Sequence, residues 1–313
     1  MLQREELIMN QNDEKLIENI VADDVMKADA LNIRKNGKCV ERKINPNIDI
    51  TTRDDNMGIT VRVKPGTLFG TIHIPVIITE SGLKDVVYND FYIGAGSNVI
   101  IVAGCGIHND KDKKTQHDGI HRFYLEDGAK VHYIERHYGE GTGEGKKVLN
   151  PVTEIFMGKN SKMTMDTFQI KGVDDTDRVT KAELGESSTL IINEKILTSN
   201  KQYAKTKFKV KLKGKDSSTH VTSRSVATDN SYQEFISEII GKSKCYAHVE
   251  CDAIIKDTAS VKAIPEIFAK SVDANLIHEA AIGKIAGEQL IKLMSLGLTE
   301  KEAEDKIIAG FLK

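Results

Sequence analysis

The chain has 313 residues, 40% of them hydrophobic and 29% charged, which is enough to bury a sizeable core in one elongated or two compact domains and too apolar for a disordered chain. Its 44 basic and 46 acidic residues are mixed throughout and leave a net charge of −2, which excludes the electrostatic footprint of a nucleic-acid or anionic-membrane binder. No apolar run approaches the roughly 18 residues of a membrane span, and the polar opening Met1-Leu2-Gln3-Arg4-Glu5-Glu6 lacks the apolar segment of a secretory signal, so a cytoplasmic location is expected.

Residues 1 to about 35 read as helical, because Leu16, Ile17, Ile20, Val21 and Val25 recur at three- and four-residue intervals among charged residues. Asn36-Gly37 is expected to stop that helix. From Ile59 the period falls to two, as in Ile59-Thr60-Val61-Arg62-Val63, or to short apolar runs such as Ile72 to Ile78. Strands bounded by Gly, Asn and Asp turns then continue to about Ile267, interrupted mainly by loops at Asn109 to Gln116 and Gly139 to Lys147. Within this region six segments open on a turn glycine followed by polar residues and an alternating strand. The glycines, at 96, 128, 158, 185, 214 and 241, lie 32, 30, 27, 29 and 27 residues apart. That spacing predicts a stacked β-solenoid, whose function sits on a face, at an end or between two copies.

After Asp273 the pattern reads as helical again, with Ile282, Ile285, Leu290, Leu293 and Met294 in one stripe closed by Gly297. Thr299-Glu300-Lys301-Glu302 has capping-box form and starts a last helix carrying Ala303, Ile307, Ile308 and Phe311. The expected layout is a helical region and lead-in over 1–57, a β-helix core over 58–272 and a C-terminal helical hairpin over 273–313.

The glycine-rich stretch Gly139 to Lys147 fails as a phosphate loop. Glu140 and Lys147 occupy places that need Gly and Ser or Thr, so a flexible surface loop is expected. The basic stretch Lys205 to Lys215 alternates with apolar residues and reads as the solvated face of a strand. Cysteines 39, 105, 245 and 251 form no Cys-x-x-Cys pair and are expected to be reduced thiols. Cys105-Gly106-Ile107-His108, with His117 and His121 beyond it, gathers soft ligands suited to zinc or iron. Turn and packing roles for the same residues stay open. Cys245 and Cys251 lie six positions apart and face one side of an unbroken strand. Both read either as small buried hydrophobes or, given Asp252 beside Cys251 and His278-Glu279 at the edge of the solenoid, as thiols that take sulfur or ligate iron.

From Val249-Glu250-Cys251-Asp252-Ala253, through Ala263-Ile264-Pro265-Glu266 to Ile277-His278-Glu279-Ala280-Ala281-Ile282-Gly283-Lys284-Ile285, the chain resembles the SufB/SufD family. The tail Glu288-Gln289-Leu290, Leu293 to Ala303 and Ile308-Ala309-Gly310-Phe311 continues the match, and the likeness covers roughly residues 85 to 313. Its short length and its Cys105 to His121 segment are similar to the minimal SufB-like proteins of archaea and anaerobes, called SmsB. The resemblance implies a right-handed β-helix with helical ends, a scaffold and not an enzyme, that assembles a transient iron–sulfur cluster with a SufC-type ABC ATPase docked on the C-terminal helices. It places the cluster-building cysteine of the Gln-Cys-Asp-Ser motif on Cys251 and the glutamate of the His-Glu-Ala motif on Glu279.

His278 then ligates iron or positions Glu279, and Cys105, His108 and Cys245 are weaker ligand candidates. The second cysteine of longer SufB proteins is replaced here by Asp257-Thr258-Ala259-Ser260, and the resemblance places no interior sulfur-path residue on this chain. A chain this short is expected to pair with itself as a homodimer and to meet a sulfur donor and apo-protein acceptors transiently. Two other readings stand beside it. One is a structural adaptor for an ATPase; the other is a β-helix enzyme acting on carbohydrate or transferring acyl groups, which the absence of Trp and the 5% aromatic content disfavour.

Overall fold

The computed structural model describes residue 9, residues 11–21 and residues 25–313. The strands form a β-solenoid of about eight turns, in which the chain passes back and forth between two stacks that are parallel except for an antiparallel pair at the first end of each. One stack holds β1 (Ala30–Lys35), β2 (Lys38–Lys43), β5 (Leu68–Ile78), β7 (Asn98–His108), β9 (Lys130–Glu140), β12 (Lys162–Lys171), β14 (Thr189–Thr198), β16 (Ser217–Ala227), β18 (Cys245–Ile255) and β20 (Ala274–Gly283). The other holds β3 (Ile48–Thr52), β4 (Gly58–Val63), β6 (Lys84–Ile93), β8 (Thr115–Leu125), β10 (Lys147–Leu149), β11 (Val152–Met157), β13 (Asp175–Leu184), β15 (Tyr203–Leu212), β17 (Tyr232–Gly241) and β19 (Ser260–Ala269). Every second side chain points between the stacks, where Phe91, Phe123, Tyr133, Phe208 and a run of Ile, Val, Leu and Met are fully or almost fully buried. Phe91 and Phe123 stack at 4.5 Å between centroids, one rung above the other.

The six repeat glycines are not structurally equivalent. Gly96 and Gly128 have φ of 66° and 69°, whereas at the matching corner of later rungs the left-handed residue is Asn160, Ser187 or Asp216. Gly158, Gly185 and Gly214 come two residues earlier, where a Cβ would press on the preceding rung; at Gly214 it would lie 2.1 Å from Glu186 N. Two different steric demands thus select glycine at one corner, and the rungs also differ in length, since the left-handed residues 96, 128, 160, 187 and 216 lie 32, 32, 27 and 29 residues apart. The loop Gly139 to Lys147 is not free: Gly143 N donates to Asn109 O at 3.2 Å and Gly145 N to Lys111 O at 3.0 Å, stacking it on the loop of the previous rung. On β15 the lysines lie outward as expected, with Lys209 2.7 Å from Glu238 and Lys211 3.0 Å from Glu183.

Both helical readings at the ends need correction. Among the described residues the N-terminal helix α1 covers Gln11–Val21, Val25–Lys27 is a single 3-10 turn, and from Ala30 the chain is strand. Asn36 and Gly37, with φ of 48° and 78°, turn the antiparallel hairpin β1–β2 and do not cap a helix. Residues 1–8, 10 and 22–24 of the expected helix lie outside the described residues. After Asp273 the chain makes β20, paired in register with β18, before α2 (Gly287–Met294) and α3 (Glu300–Phe311). Ile282 is therefore a strand residue, Ile285 precedes the helix, and ladder pairing overrides the helical spacing. The capping box at Thr299 and Glu302 forms as expected.

Helix α1 lies on the outer face of the first stack, packing Leu16, Ile17, Ile20 and Val21 against Leu31, Ile33, Ile77 and Val102. Gly104 makes this approach possible, since a Cβ there would sit 2.7 Å from Ile20 Cβ. Gly104→Leu is expected to lift α1 off the sheet. Amide exchange over Gln11–Val21 should then speed up while β12 to β18 stay protected, and unchanged protection of α1 would refute this packing role.

Candidate functional site

The interior contains a polar column set among the apolar layers. On β9 the inward residues are Val131, Tyr133, Glu135 and His137; β8 adds His117, Gly119 and His121, and β7 adds Cys105. Further along the axis β13 contributes Arg178, β14 Glu194, β15 Thr206, β16 Ser223 and β18 Cys251, all 3% exposed or less. Parallel register determines which of these meet. Glu135 pairs with Thr167, Thr167 with Glu194, Glu194 with Ser223, and Ser223 with Cys251.

Arg178 is the hub. Its Nη1 donates to Glu135 Oε2, its Nη2 lies 3.2 Å from His137 Nδ1, and its Nε is 3.8 Å from Glu194 Oε1. Glu194 also accepts from Thr206 Oγ1 at 3.0 Å and from Ser223 Oγ at 2.8 Å. Burial raises the Glu194 carboxyl against the pull of Arg178, whereas for Glu135 the charges of Arg178 and His137 overcome burial and hold it well below the usual range.

The two interior thiols differ sharply. Burial would raise Cys105, but the positive charges of the nearby His117 and His137 bring it down to about 7. Cys251 has no such partner on its shift: burial first, then the negative charges of Glu194 and Asp252, push it up to about 12.

Cys245 and Cys251 are both buried and point inward, as their even spacing predicts. Cys105 and His108 are not brought together. Cys105 points inward, while the half-buried His108 is held at the loop edge by Asp110 at 2.7 Å and Glu140 at 3.2 Å. His117 and His121 share the inner face of β8, where a Cβ on Gly119 would lie 3.2 Å from the Nε2 of each. His278 faces inward in the last rung, its Nδ1 3.3 Å from Ser237 Oγ. Glu279 points outward with a side chain 66% exposed, 3.6 Å from His248 Nε2. Cys251 is in register with Ala280 and Glu250 with Glu279, so Cys251 and Glu279 occupy opposite faces of adjacent strands. Among the described residues no group of three or more His, Cys, Asp and Glu side chains is arranged to hold a metal ion.

Glu135, His137, Arg178 and Glu194 escape a reading of the sequence alone. On β9 both strand faces carry apolar residues, because Ile134 and Tyr138 pack outward near α1, so alternation does not reveal which face is interior. The available signal was the charged residues recurring at one parity in adjacent rungs.

The class these features define is a β-solenoid with helical ends and a buried, thiol-bearing polar column. The family description "SUF system FeS cluster assembly, SufBD core domain" matches residues 93–311, and the chain belongs to this family. It is 31% identical over 238 residues to an iron-sulfur cluster assembly SufBD family protein of Pyrococcus horikoshii, covering 75% of this chain and 71% of that one. It is 27% identical over 260 residues to the corresponding protein of Methanothermobacter thermautotrophicus, covering 82% of this chain but only 62% of the relative's length. A Methanocaldococcus jannaschii relative is 26% identical, with 83% of this chain and 82% of the relative covered.

His121 sets an acid limit on this interior. Its Nδ1 lies 2.7 Å from Tyr133 OH, and burial lowers it from 6.5 to about 4. In that window the unfolded chain binds a proton that the folded chain refuses, so stability falls as pH drops from 6.5 towards 4, by up to about 3 kcal/mol. Thermal melts across this range should show a shallower loss for His121→Gln than for the wild type. Equal losses would assign the acid sensitivity elsewhere.

Proposed function

We propose that this chain is the scaffold subunit for de novo iron–sulfur cluster assembly, working as a homodimer with a SufC-type ABC ATPase. The observation that carries the reading is the polar column joining two buried thiols of opposite character inside a SufBD-family solenoid. Cys105, poised to ionise near neutral pH, is the thiol suited to capture sulfur. Its thiolate attacks the terminal sulfur of a donor persulfide, the donor's S–S bond breaks, and the departing donor thiolate takes a proton. Cys251, one rung from the end, takes that sulfane sulfur as a persulfide in turn, its thiolate attacking the outer sulfur and freeing the previous carrier thiol, and an external two-electron reductant releases it as sulfide into the cluster that Cys251 holds as cargo. Glu279 ligates iron or takes a proton, and His278 ligates iron or positions Glu279.

At rest Cys251 and Glu279 face opposite ways and the Cys251 thiol is protonated, so assembly requires the last rungs to open or a second copy to complete the site. That need suits a mechanical partner, and ATP hydrolysis belongs to it. The surfaces available agree with the proposed partners. Helix α2 leaves Ile291 and Met294 uncovered, with Leu296 just beyond it, which favours ATPase docking there. The final rung exposes Ile267, Phe268, Val272 and Ile282, which favours pairing with a second copy.

The test is anaerobic reconstitution of the chain with its ATPase, iron and sulfide, followed by visible and EPR spectroscopy. Cys251→Ala is expected to abolish the cluster signal and Glu279→Ala to weaken iron retention by roughly tenfold or more. Cys105→Ala should slow assembly from a persulfide donor while leaving assembly from free sulfide intact. Equal clusters in all three variants would overturn the assignment.

A further inference from the structure

The Cys105 end of the column reaches the N-terminal hairpin through three polar side chains that the reading above leaves without a task. His117 on β8 sits in register with Asp85 on β6, and its Nδ1 is 2.9 Å from Asp85 Oδ2. The second carboxylate oxygen, Oδ1, accepts from Arg34 Nη2 at 3.3 Å, and the same guanidinium nitrogen donates to Gly37 O at 2.9 Å in the β1–β2 turn. With Nδ1 engaged, the imidazole turns Nε2 towards the interior, where it is buried without a hydrogen-bond partner and faces a space, too narrow for a water molecule, that it shares with Cys105, His121 and His137.

We propose that Asp85 and Arg34 are positioning residues for Cys105: through His117 they fix the imidazole that faces the thiol, making the N-terminal hairpin part of the sulfur-handling end of the protein. The inference rests on the reading of Cys105 as the sulfur-capturing thiol, but its chemistry is a property of the chain alone. A carboxylate on Nδ1 selects the ring orientation and stabilises the imidazolium, and the imidazolium in turn stabilises a thiolate. Burial works against charging His117, and the negative charges of Cys105 and Asp85 outweigh it, raising His117 to about 10. The other groups facing the pair are His137 and Glu135 from β9, with Tyr133 beside them, His121 from β8 and Arg178 from β13; Glu135 is held by Arg178, so Asp85 is the carboxylate directed at His117. Arg34 keeps Asp85 pointing at the ring, and Gly37 leaves room for it, since a Cβ there would sit 3.2 Å from Asp85 Oδ1.

The experiment uses the full chain with Cys39→Ser, Cys245→Ala and Cys251→Ala, so that Cys105 is the only thiol. Ultraviolet thiolate absorbance is followed against pH, with the Cys105→Ala chain as blank and melting temperatures measured alongside. Cys105 should ionise with a midpoint near 7. Asp85→Asn should raise that midpoint by roughly 1 unit or more, and Arg34→Gln should raise it by less. Should Asp85→Asn fail to fold, Arg34→Gln decides, because it keeps a hydrogen-bonding side chain at that position and leaves the buried carboxylate in place. A lowered melting temperature with an unmoved midpoint would make Asp85 and Arg34 structural only, and a midpoint at an ordinary thiol value in the parent chain would remove the relay altogether. The readout requires no iron, sulfur or ATPase, so failure of the scaffold reading and failure of this one are separately visible.

Discussion

In-register stacking is the constraint from which everything else in this molecule follows. Each rung sets its side chains directly over those of the rung before, about 4.8 Å along the axis, so an inward residue meets its neighbour's counterpart whatever the sequence between them. For apolar residues the result is a column such as Phe91 over Phe123. For polar residues it is an obligation, because a buried charge with no partner above, below or across costs several kcal/mol. Arg178 meets that obligation for Glu135 and Glu194 at once, and Thr206 and Ser223 complete the second carboxylate.

The same constraint separates the two thiols chemically. Cys105 lies where histidines from two strands converge, while Cys251 lies where the column ends among serine and carboxylate. One chain thus holds a thiol close to ionisation and another far from it within a single continuous interior. The difference arises from neighbours, since both cysteines are buried.

Much of the architecture was legible in the sequence because solenoid corners have steric rules: small or left-handed residues recur once per rung, and strands alternate between them. The boundaries were less legible. The stretch Ala274 to Gly283 carries helix-like spacing, yet β18 offers it a complete ladder of hydrogen-bond partners, and pairing wins over local pattern. Asn36-Gly37 is equally at home ending a helix or turning a hairpin, and only the adjacent strands decide. For the site, the even spacing of Cys245 and Cys251 placed both inside, but parity alone also separates Cys251 from Glu279, a consequence that the motif resemblance does not carry. The polar column itself was hidden because its members come from eight strands spread along the chain, and only register brings them into line.

The two ends of the solenoid are unlike edges. At the first end β2 and β3 are six and five residues long, antiparallel to their neighbours, and β2 carries Lys38, Glu41, Arg42 and Lys43, so this edge is short and charged. At the other end β19 and β20 are ten residues each, parallel and partly apolar, with their outer hydrogen-bonding groups open along the full length. A stack with one blunted and one open end disfavours head-to-tail growth, because the open edge finds no matching open edge at the other end of a second copy. The direction of the stack thus confines edge-to-edge pairing to copies that meet like to like.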